Sequence, residues 1–202
     1  MTPKRVDEDA RRQQILNAAI RVFARKGFAA SRVEDVAAEA GIGKGSVYLA
    51  FDSREAILDA VFEELAAADA EIVRIARTLD RPAAERLEWL VHAVIGAAAG
   101  DPDLARLFLD LWTVGRGGEP GHPLNMSRVY ERYRETVTVL LEEAAAEGAV
   151  RAGTGAAEAA VIVGAIEGCL LQWVVDPRVP LRELAGSIFA VCLDGLRPRE
   201  GA

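Results

Sequence analysis

The stretch GIGKGSVY, residues 41 to 48, combines three glycines with a lysine, a serine and a tyrosine. These residue types can bind phosphate, because glycine exposes backbone N–H groups and the lysine ammonium group supplies a positive charge. Two kinds of site use such a stretch: the phosphate-binding loop of a nucleotide-dependent enzyme, and the turn and recognition helix of a DNA-binding protein. The surrounding elements distinguish between the two.

A phosphate-binding loop requires the pattern GxxxxGK[ST], or a GxGxxG segment that follows a strand. Here the spacing is GxGxG, Lys44 precedes the last glycine, and the preceding residues have the apolar periodicity of a helix. A nucleotide-binding loop is therefore disfavoured. A helix-turn-helix, in which one helix braces a second that enters the major groove, explains the same residues.

The flanking segments predict the helices that position the stretch. Apolar residues at helical spacing predict a first helix over residues 9 to 26, which ends at Gly27. Ser31 and Glu34 have the spacing of a capping box, so the serine is expected to be the N-cap of a second helix that ends at Gly41.

The remainder of the chain also has helical periodicity. A third helix should begin near Lys44, and Asp52 or Ser53 is the expected N-cap of a long fourth helix that reaches Thr78. No segment has the alternating pattern of a strand, so the expected fold is all-α, with about nine helices. Further helices are predicted at about residues 83–99, 102–114, 123–147, 156–175 and 181–196, with a glycine- and proline-rich loop at 115–123.

The composition is that of a globular protein with an uneven charge distribution. The 202 residues are 51% hydrophobic, which is enough for a substantial core. Residues 1–48 contain nine Lys and Arg and six Asp and Glu, a net charge of +3, which leaves −10 for the rest of a chain whose total is −7. The basic N-terminal quarter is therefore expected to meet an anion.

Other classes of site and location are disfavoured. Two distant histidines, no nucleophile elbow and no metal-ligand spacing argue against an enzyme, a cofactor or a metal site. Cys169 and Cys192 are expected to be core residues. The N-terminus lacks the apolar segment of a signal peptide, so a cytoplasmic protein is expected. The apolar run at 159–175 contains Glu167 and is short for a membrane span, which predicts a buried helix and no membrane contact.

The segment GFAASRVEDVAAEAGIGKGSVYLAFDSREAIL, residues 27 to 58, resembles the DNA-binding region of the TetR family of bacterial transcriptional regulators. The similarity extends over about residues 9 to 62 and is only architectural beyond them. The matching positions are Gly27-Phe28, Ser31, Asp35-Val36-Ala37, Ala40-Gly41, Gly45, Tyr48, Phe51 and Arg54-Glu55.

The resemblance implies a ligand-responsive transcriptional repressor with two domains. Residues 1–52 would form a helix-turn-helix domain for double-stranded operator DNA, and residues 53–202 a domain that binds an effector and forms a homodimer. The two recognition helices of the dimer would enter successive major grooves of a near-palindromic operator. Binding of a small effector would shift the fourth helix and alter the spacing between them.

Physical roles can be assigned to the matched positions. Ser31, Arg32 and the N–H groups that open the second helix are expected to hold a phosphate. Side chains that begin the third helix can reach base edges, and Gly45 permits close approach of the backbone. Tyr48 and Arg54 would contact phosphate, although a core position for the first and a solvated cation for the second are alternatives. The expected DNA contacts are Ser31, Arg32, Lys44, Gly45, Ser46, Tyr48, Leu49 and Arg54.

Leu49 is one of three departures from the family pattern, with Gly43 and Ala50. It can offer only an apolar contact, for example to a thymine methyl group. The basic N-terminus, Lys4 and Arg5, would either add contacts to DNA or be disordered.

A stripe of small residues along the helix at 156–175 is expected to allow close packing between helices. Together with the helix at 181–196 it would form a four-helix interface with the same pair from a second subunit. The expected interface residues are Ala160, Gly164, Gly168, Ile188 and Cys192.

An effector site is expected among aromatic and polar residues on otherwise apolar helices. Core packing is the alternative for each aromatic residue, and pairing across the dimer is the alternative for Glu167. The effector should be mainly hydrophobic, with one cationic or hydrogen-bonding group that Glu167 could meet. A protein that only binds small molecules and a DNA-binding protein without an effector are the alternative functions. The candidate ligand contacts are Trp89, His92, Phe108, Trp112, Tyr130, Glu167 and Trp173.

Overall fold

A computed structural model describes residues 3–107 and 126–198 of the chain, and within these ranges the only regular elements are helices. Residues 102–107 are also helical. The all-α prediction is therefore confirmed, while the loop expected at 115–123 lies outside the described residues. The helices are α1 (Pro3–Lys26), α2 (Val33–Ala40), α3 (Lys44–Tyr48), α4 (Arg54–Thr78), α5 (Ala83–Gly100), α6 (Met126–Ala146), α7 (Ala156–Val175) and α8 (Leu181–Asp194).

Glycines end the first two helices, as expected. Gly27 and Gly41 have φ values of 76° and 68°, the left-handed conformation that glycine adopts without steric cost. The N–H group of Gly27 donates to the carbonyl of Phe23 at 2.9 Å, which closes the last turn of α1. At its other end α1 begins at Pro3, six residues before the predicted start. A proline is compatible with this position, because it is tolerated in the first turn of a helix.

The predicted start of α2 is wrong by one residue. The N-cap is Arg32, whose backbone N–H donates to Oδ2 of Asp35 at 3.0 Å. The hydroxyl of Ser31 instead donates to the carbonyl of Gly27 at 2.7 Å, and the side chain is only 2% exposed. The serine therefore satisfies a carbonyl at the end of α1, so it does not form the predicted capping box with Glu34.

The start of α4 is confirmed, since the N–H of Ala56 donates to Oγ of Ser53 at 3.0 Å. The chain divides into two compact units within this helix, between Ala67 and Ala68. Unit 1 comprises residues 1–67 and 103–124, and unit 2 comprises residues 68–102 and 125–202.

Unit 1 has a core built from one face of each of its helices. Phe23 of α1 and Phe62 of α4 are its largest fully buried side chains. Val47 of α3 and Phe51 are buried as expected, and the guanidinium of Arg12 lies 4.5 Å from the centre of the Phe51 ring. The short helix α3 is thus anchored to the core by Val47, near its end, and by Phe51, three residues after it. The other buried apolar residues of α1, α2 and α4 include Ile15, Leu16, Val22, Val33, Val36, Ile57, Leu58 and Val61.

Unit 2 packs α5 to α8 around a second core. Cys169 and Cys192, which were expected in the core, lie partly buried against it. The main buried residues are Leu87, Leu90, Ile95, Leu140, Leu141, Ile162, Ile166, Leu181 and Ile188.

The helix α7 is less covered than predicted. Its buried residues are Ala159, Ile162 and Ile166, which form one stripe, whereas Val161 and Val175 on other sides are exposed. Among the described helices, α7 alone is long and apolar enough to cross a membrane by length and composition. A helix that is apolar around most of its circumference but buried along one stripe has a further surface to cover.

Candidate DNA-binding site and apolar helix face

The helix α3 exposes the residues that the sequence marks for DNA contact. It follows the turn after Gly41, and Gly43 is its N-cap, with the N–H of Ser46 donating to the Gly43 carbonyl at 2.8 Å. Lys44 and Gly45 are exposed, and Ser46 is partly buried. Val47 faces the core. The exposed side of α3 is therefore a short, mixed polar and apolar surface that no other part of unit 1 covers, within the residues described.

Leu49 and Tyr48 extend this surface. Leu49 is 85% exposed, so almost the whole side chain is available for burial against a partner. Tyr48 is 45% exposed, so the alternative of a core aromatic residue is wrong. Neither residue is part of the unit 1 core.

Gly45 has no steric reason to be glycine within unit 1. A Cβ atom built at this position would meet no described atom within 4 Å, and the residue lies inside a helix, where glycine is less favourable than alanine by about 0.5–1 kcal/mol. The absence of a side chain at Gly45 permits another molecule to approach the backbone of α3 closely.

Lys44 pairs with a carboxylate of the preceding helix. Its ammonium group forms a salt bridge with Glu34, and Nζ lies 5.5 Å from the centre of the Tyr48 ring. The hydrogen bond from Lys44 lowers the pKa of Glu34, and the same contact raises the pKa of Lys44. The cation is thus held where α2 meets α3.

Arg54 has a different environment from the one expected. Its Nη1 donates to the carbonyls of Phe28, Ala29 and Ser31 at 3.0, 3.2 and 2.8 Å, and its Nη2 contacts Glu55 at 2.9 Å. The guanidinium carbon also lies 4.2 Å from the centre of the Phe28 ring. Arg54 is therefore neither a solvated cation nor a free phosphate ligand, because its donors fasten α4 to the turn between α1 and α2.

The start of α2 is also less available to a phosphate than expected. The buried hydroxyl of Ser31 points to the end of α1, and the backbone N–H of Arg32 is taken by Asp35. The first turn contains the carboxylates of Glu34 and Asp35. Of Ser31 and Arg32, only Arg32 therefore has an exposed side chain that remains a candidate for phosphate contact.

Unit 2 contains two hydrogen bonds between tyrosine and carboxylate. The hydroxyl of Tyr130 donates to Glu167 of α7, and that of Tyr133 donates to Oδ1 of Asp69 at 2.9 Å. Burial raises the pKa of the Asp69 carboxyl despite that hydrogen bond. Burial, together with the neighbouring carboxylates, also raises the pKa of both tyrosines. Glu167 therefore has a partner within its own chain.

The other candidate ligand contacts are dispersed. Trp89 and Trp173 are partly buried against the unit 2 core, whereas His92 is exposed. Phe108 and Trp112 lie outside the described residues. No group of three or more potential metal ligands occurs in the parts of the chain that the structure describes.

An apolar face runs along α7 and α8. Ala160 and Gly164 are exposed, and so are Val161, Val175 and Val191, with Val175 at 78%. Gly168 and Cys192 are partly buried. Ile188 is a correction to the expected interface, because it is 6% exposed and belongs to the unit 2 core. Val191, three residues further along α8, is instead 75% exposed. We call the residues Ala160, Val161, Gly164, Leu171, Val175 and Val191 the α7–α8 face.

Two family models match the chain, one in its N-terminal part and one over more than half of its length. Residues 15–61 match the family model described as bacterial regulatory proteins of the tetR family, and residues 83–198 match the C-terminal region of BetI-type transcriptional repressors. The fatty acid metabolism regulator protein of Bacillus subtilis is 26% identical over 185 residues, which are 91% of this chain and 94% of the relative. The nicotine-responsive transcriptional repressor HdnoR of Paenarthrobacter nicotinovorans is 28% identical over 199 residues, covering 94% of this chain and 97% of the relative.

A solved structure has the same fold. The transcriptional regulator FadR from Bacillus subtilis, in complex with stearoyl-CoA, superposes with a TM-score of 0.73 at 25% identity, covering 92% of this chain and 99% of that one.

Proposed function

Because the chain belongs to the TetR family of bacterial regulatory proteins, and is thus a ligand-responsive, DNA-binding transcriptional regulator, we propose that it is a repressor released from a near-palindromic operator by a small effector. The observation that carries this proposal is the exposed surface of α3. It combines a lysine, an accessible glycine, a half-exposed tyrosine and an exposed leucine that serve no packing purpose in unit 1.

The proposed DNA contacts are those of α3 and the start of α2. Lys44 and Ser46 would reach base edges or phosphates, Leu49 would meet a thymine methyl group, and the Tyr48 hydroxyl would donate to a phosphate. Gly45 would let the backbone approach the groove. Arg32, at the start of α2, would supply a further cation. Arg54 and Ser31 would instead stabilise the turn between α1 and α2.

A homodimer would form through the α7–α8 face. Glycine at position 164 is in a helix interior, and a Cβ atom built there would meet no described atom within 4 Å. The protomer by itself therefore gains nothing from the absence of a side chain, whereas close packing against another helix would. Two copies of α7 and α8 related by a two-fold axis would cover the exposed valines of both subunits.

The effector is proposed to be mainly hydrophobic, with one cationic or hydrogen-bonding group. The names of the relatives indicate chemically different ligands, since one relative is nicotine-responsive and one solved structure is a complex with stearoyl-CoA. In this chain the hydrogen-bonded pairs of tyrosine and carboxylate in unit 2 would favour a donor or a cation over an anion. Glu167, with Tyr130 beside it, is the proposed partner of that group.

The proposed division of roles assigns DNA binding to residues 1–52 and effector binding with dimerisation to residues 53–202, in the cytoplasm. The helix α4 continues from unit 1 into unit 2. A displacement of α4 by effector would thus pass along a single continuous helix to the residue, Arg54, that fastens it to the α1–α2 turn.

A selection of random double-stranded DNA with the purified full chain tests the proposal. The expected result is an enriched palindrome whose half-sites are about one helical turn apart, bound with a strong dependence on salt. A Lys44→Ala variant should fail to enrich it. If the wild-type chain enriches no palindrome, the proposed function is wrong.

A further inference from the structure

The acidic residues of α2 each pair with a basic residue of another helix. Asp35 contacts Lys26 at 2.6 Å, and Glu39 contacts Arg21 and Arg25 of α1 at 2.7 and 3.0 Å. These contacts join α2 to α1 and involve no residue of α3. Glu34 differs from the other two, because its partner is the lysine that begins α3.

We propose that Glu34 is an intramolecular substitute for a DNA phosphate, which holds Lys44 in the free protein and releases it to the operator. Glu34 thereby lowers the affinity of the protein for DNA. This inference rests on the proposed role of α3, and its test separates the failure of one from the failure of the other.

The position of Glu34 supports this role. It is the second residue of α2, and the N-terminus of a helix attracts anions. The side chains of Glu34 and Lys44 are 54% and 51% exposed, so neither is needed to fill the core. A carboxylate at this point has the charge of a phosphate group and satisfies the same ammonium donor. A DNA phosphate that reaches Lys44 must therefore displace the carboxylate or lie beside it.

The consequence is a competition that limits affinity. When Lys44 contacts DNA, Glu34 loses its partner and is left as a negative charge near the phosphate backbone. Replacing it by glutamine removes this repulsion and leaves the length of the side chain unchanged. Exposed ion pairs of this kind have small energies, so Glu34→Gln should tighten binding about twofold to fivefold per half-site.

The experiment measures operator binding by the full chain across a salt series, with the palindrome from the selection as the probe. Glu34→Gln should lower Kd, and the plot of log K against log salt should steepen by up to about one ion per half-site. Glu39→Gln is the matched control, because it removes the same charge from the same helix without touching α3. In a Lys44→Gln background the effect of Glu34→Gln should disappear.

Two outcomes would overturn the inference. Weaker or unchanged binding by Glu34→Gln would mean that the carboxylate positions Lys44 for DNA or has no part in binding. An equal gain from Glu39→Gln would reduce the effect to the overall charge. Glu34→Ala is a second variant that should also lower Kd. This result would show that the effect comes from loss of the carboxylate and not from the glutamine amide. If the wild-type chain binds no selected DNA at all, the proposed function fails instead.

Discussion

The surface of α3 and the α7–α8 face both expose side chains that their own unit does not use, but they differ in chemistry. The α3 surface is small and mixed, with a lysine held by Glu34 and a leucine beside a tyrosine. The α7–α8 face is almost entirely apolar, with small residues between valines. The α3 surface suits a polar partner that binds reversibly, and the affinity for that partner should depend on salt. The α7–α8 face suits a permanently bound partner, and the affinity for that partner should depend on packing.

The largest effect is expected from Gly164→Leu, which tests the packing of the α7–α8 face. Inserting a large side chain at a close helix contact costs about 1–3 kcal/mol, and a two-fold interface contains the residue twice. The dimer should therefore dissociate at micromolar concentrations in sedimentation equilibrium. Because a Cβ at this position meets no described atom in the protomer, the helical content should not change. An intact dimer would contradict the proposed interface, and Gly164→Ala is the control with a minimal side chain.

Lys44→Ala tests the α3 surface and should leave the dimer intact. Loss of one cationic contact in each half-site should weaken operator binding about tenfold per half-site and reduce the salt dependence by about one ion per half-site. Fluorescence anisotropy at several salt concentrations measures both quantities. Unchanged affinity would exclude Lys44 from the interface, and Lys26→Ala, which removes a cation paired with α2 on its α1 side, is the comparison.

Arg54→Met separates a positioning role from a phosphate contact. The three carbonyls that accept from Arg54 would lose their donor, and hydrogen bonds to charged groups contribute about 1.5–3 kcal/mol. We expect a lower melting temperature of unit 1 and weaker DNA binding with an unchanged salt slope. A salt slope reduced by about one ion per half-site would instead show that Arg54 contacts phosphate.

Asp69→Asn should have the smallest effect, confined to unit 2. Burial raises the pKa of this carboxyl above its unfolded value, so ionised Asp69 reduces the stability of the fold at neutral pH. The variant should therefore melt at a slightly higher temperature than the wild type at pH 7. The difference should shrink as pH falls through the raised pKa, because protonation then relieves the wild type. A variant that melts lower at pH 7 would mean that the hydrogen bond from Tyr133 outweighs the cost of burial.

Much of the fold could be predicted because its determinants are local. Gly27 and Gly41 end helices through their own backbone conformation, and Ser53 caps α4 through a neighbour three residues away. The start of α2 was missed because two residue pairs have capping-box spacing there. The hydroxyl of Ser31 instead donates to the carbonyl of Gly27, four residues earlier, and the spacing alone does not decide between this acceptor and the N-terminus of α2.

The candidate site divides in the same way. The exposure of Lys44 and Tyr48 agrees with their positions on α3, which the helix-turn-helix pattern indicated. The role of Arg54 could not be predicted, since its three acceptors lie between 23 and 26 residues earlier in the chain. No sequence spacing distinguishes an arginine bound to such carbonyls from one that faces DNA.

The sequence alone therefore determined the helices, their glycine ends and the family to which the chain belongs, because these depend on neighbouring residues and on a motif of fixed spacing. Only the tertiary structure decided which polar groups are already paired. Glu34 with Lys44, Arg54 with the α1–α2 turn, and Tyr130 with Glu167 are contacts between elements. Likewise, the burial of Ile188 and the exposure of Val191 depend on how α8 is rotated against its neighbours, which the apolar pattern of a single helix leaves undetermined.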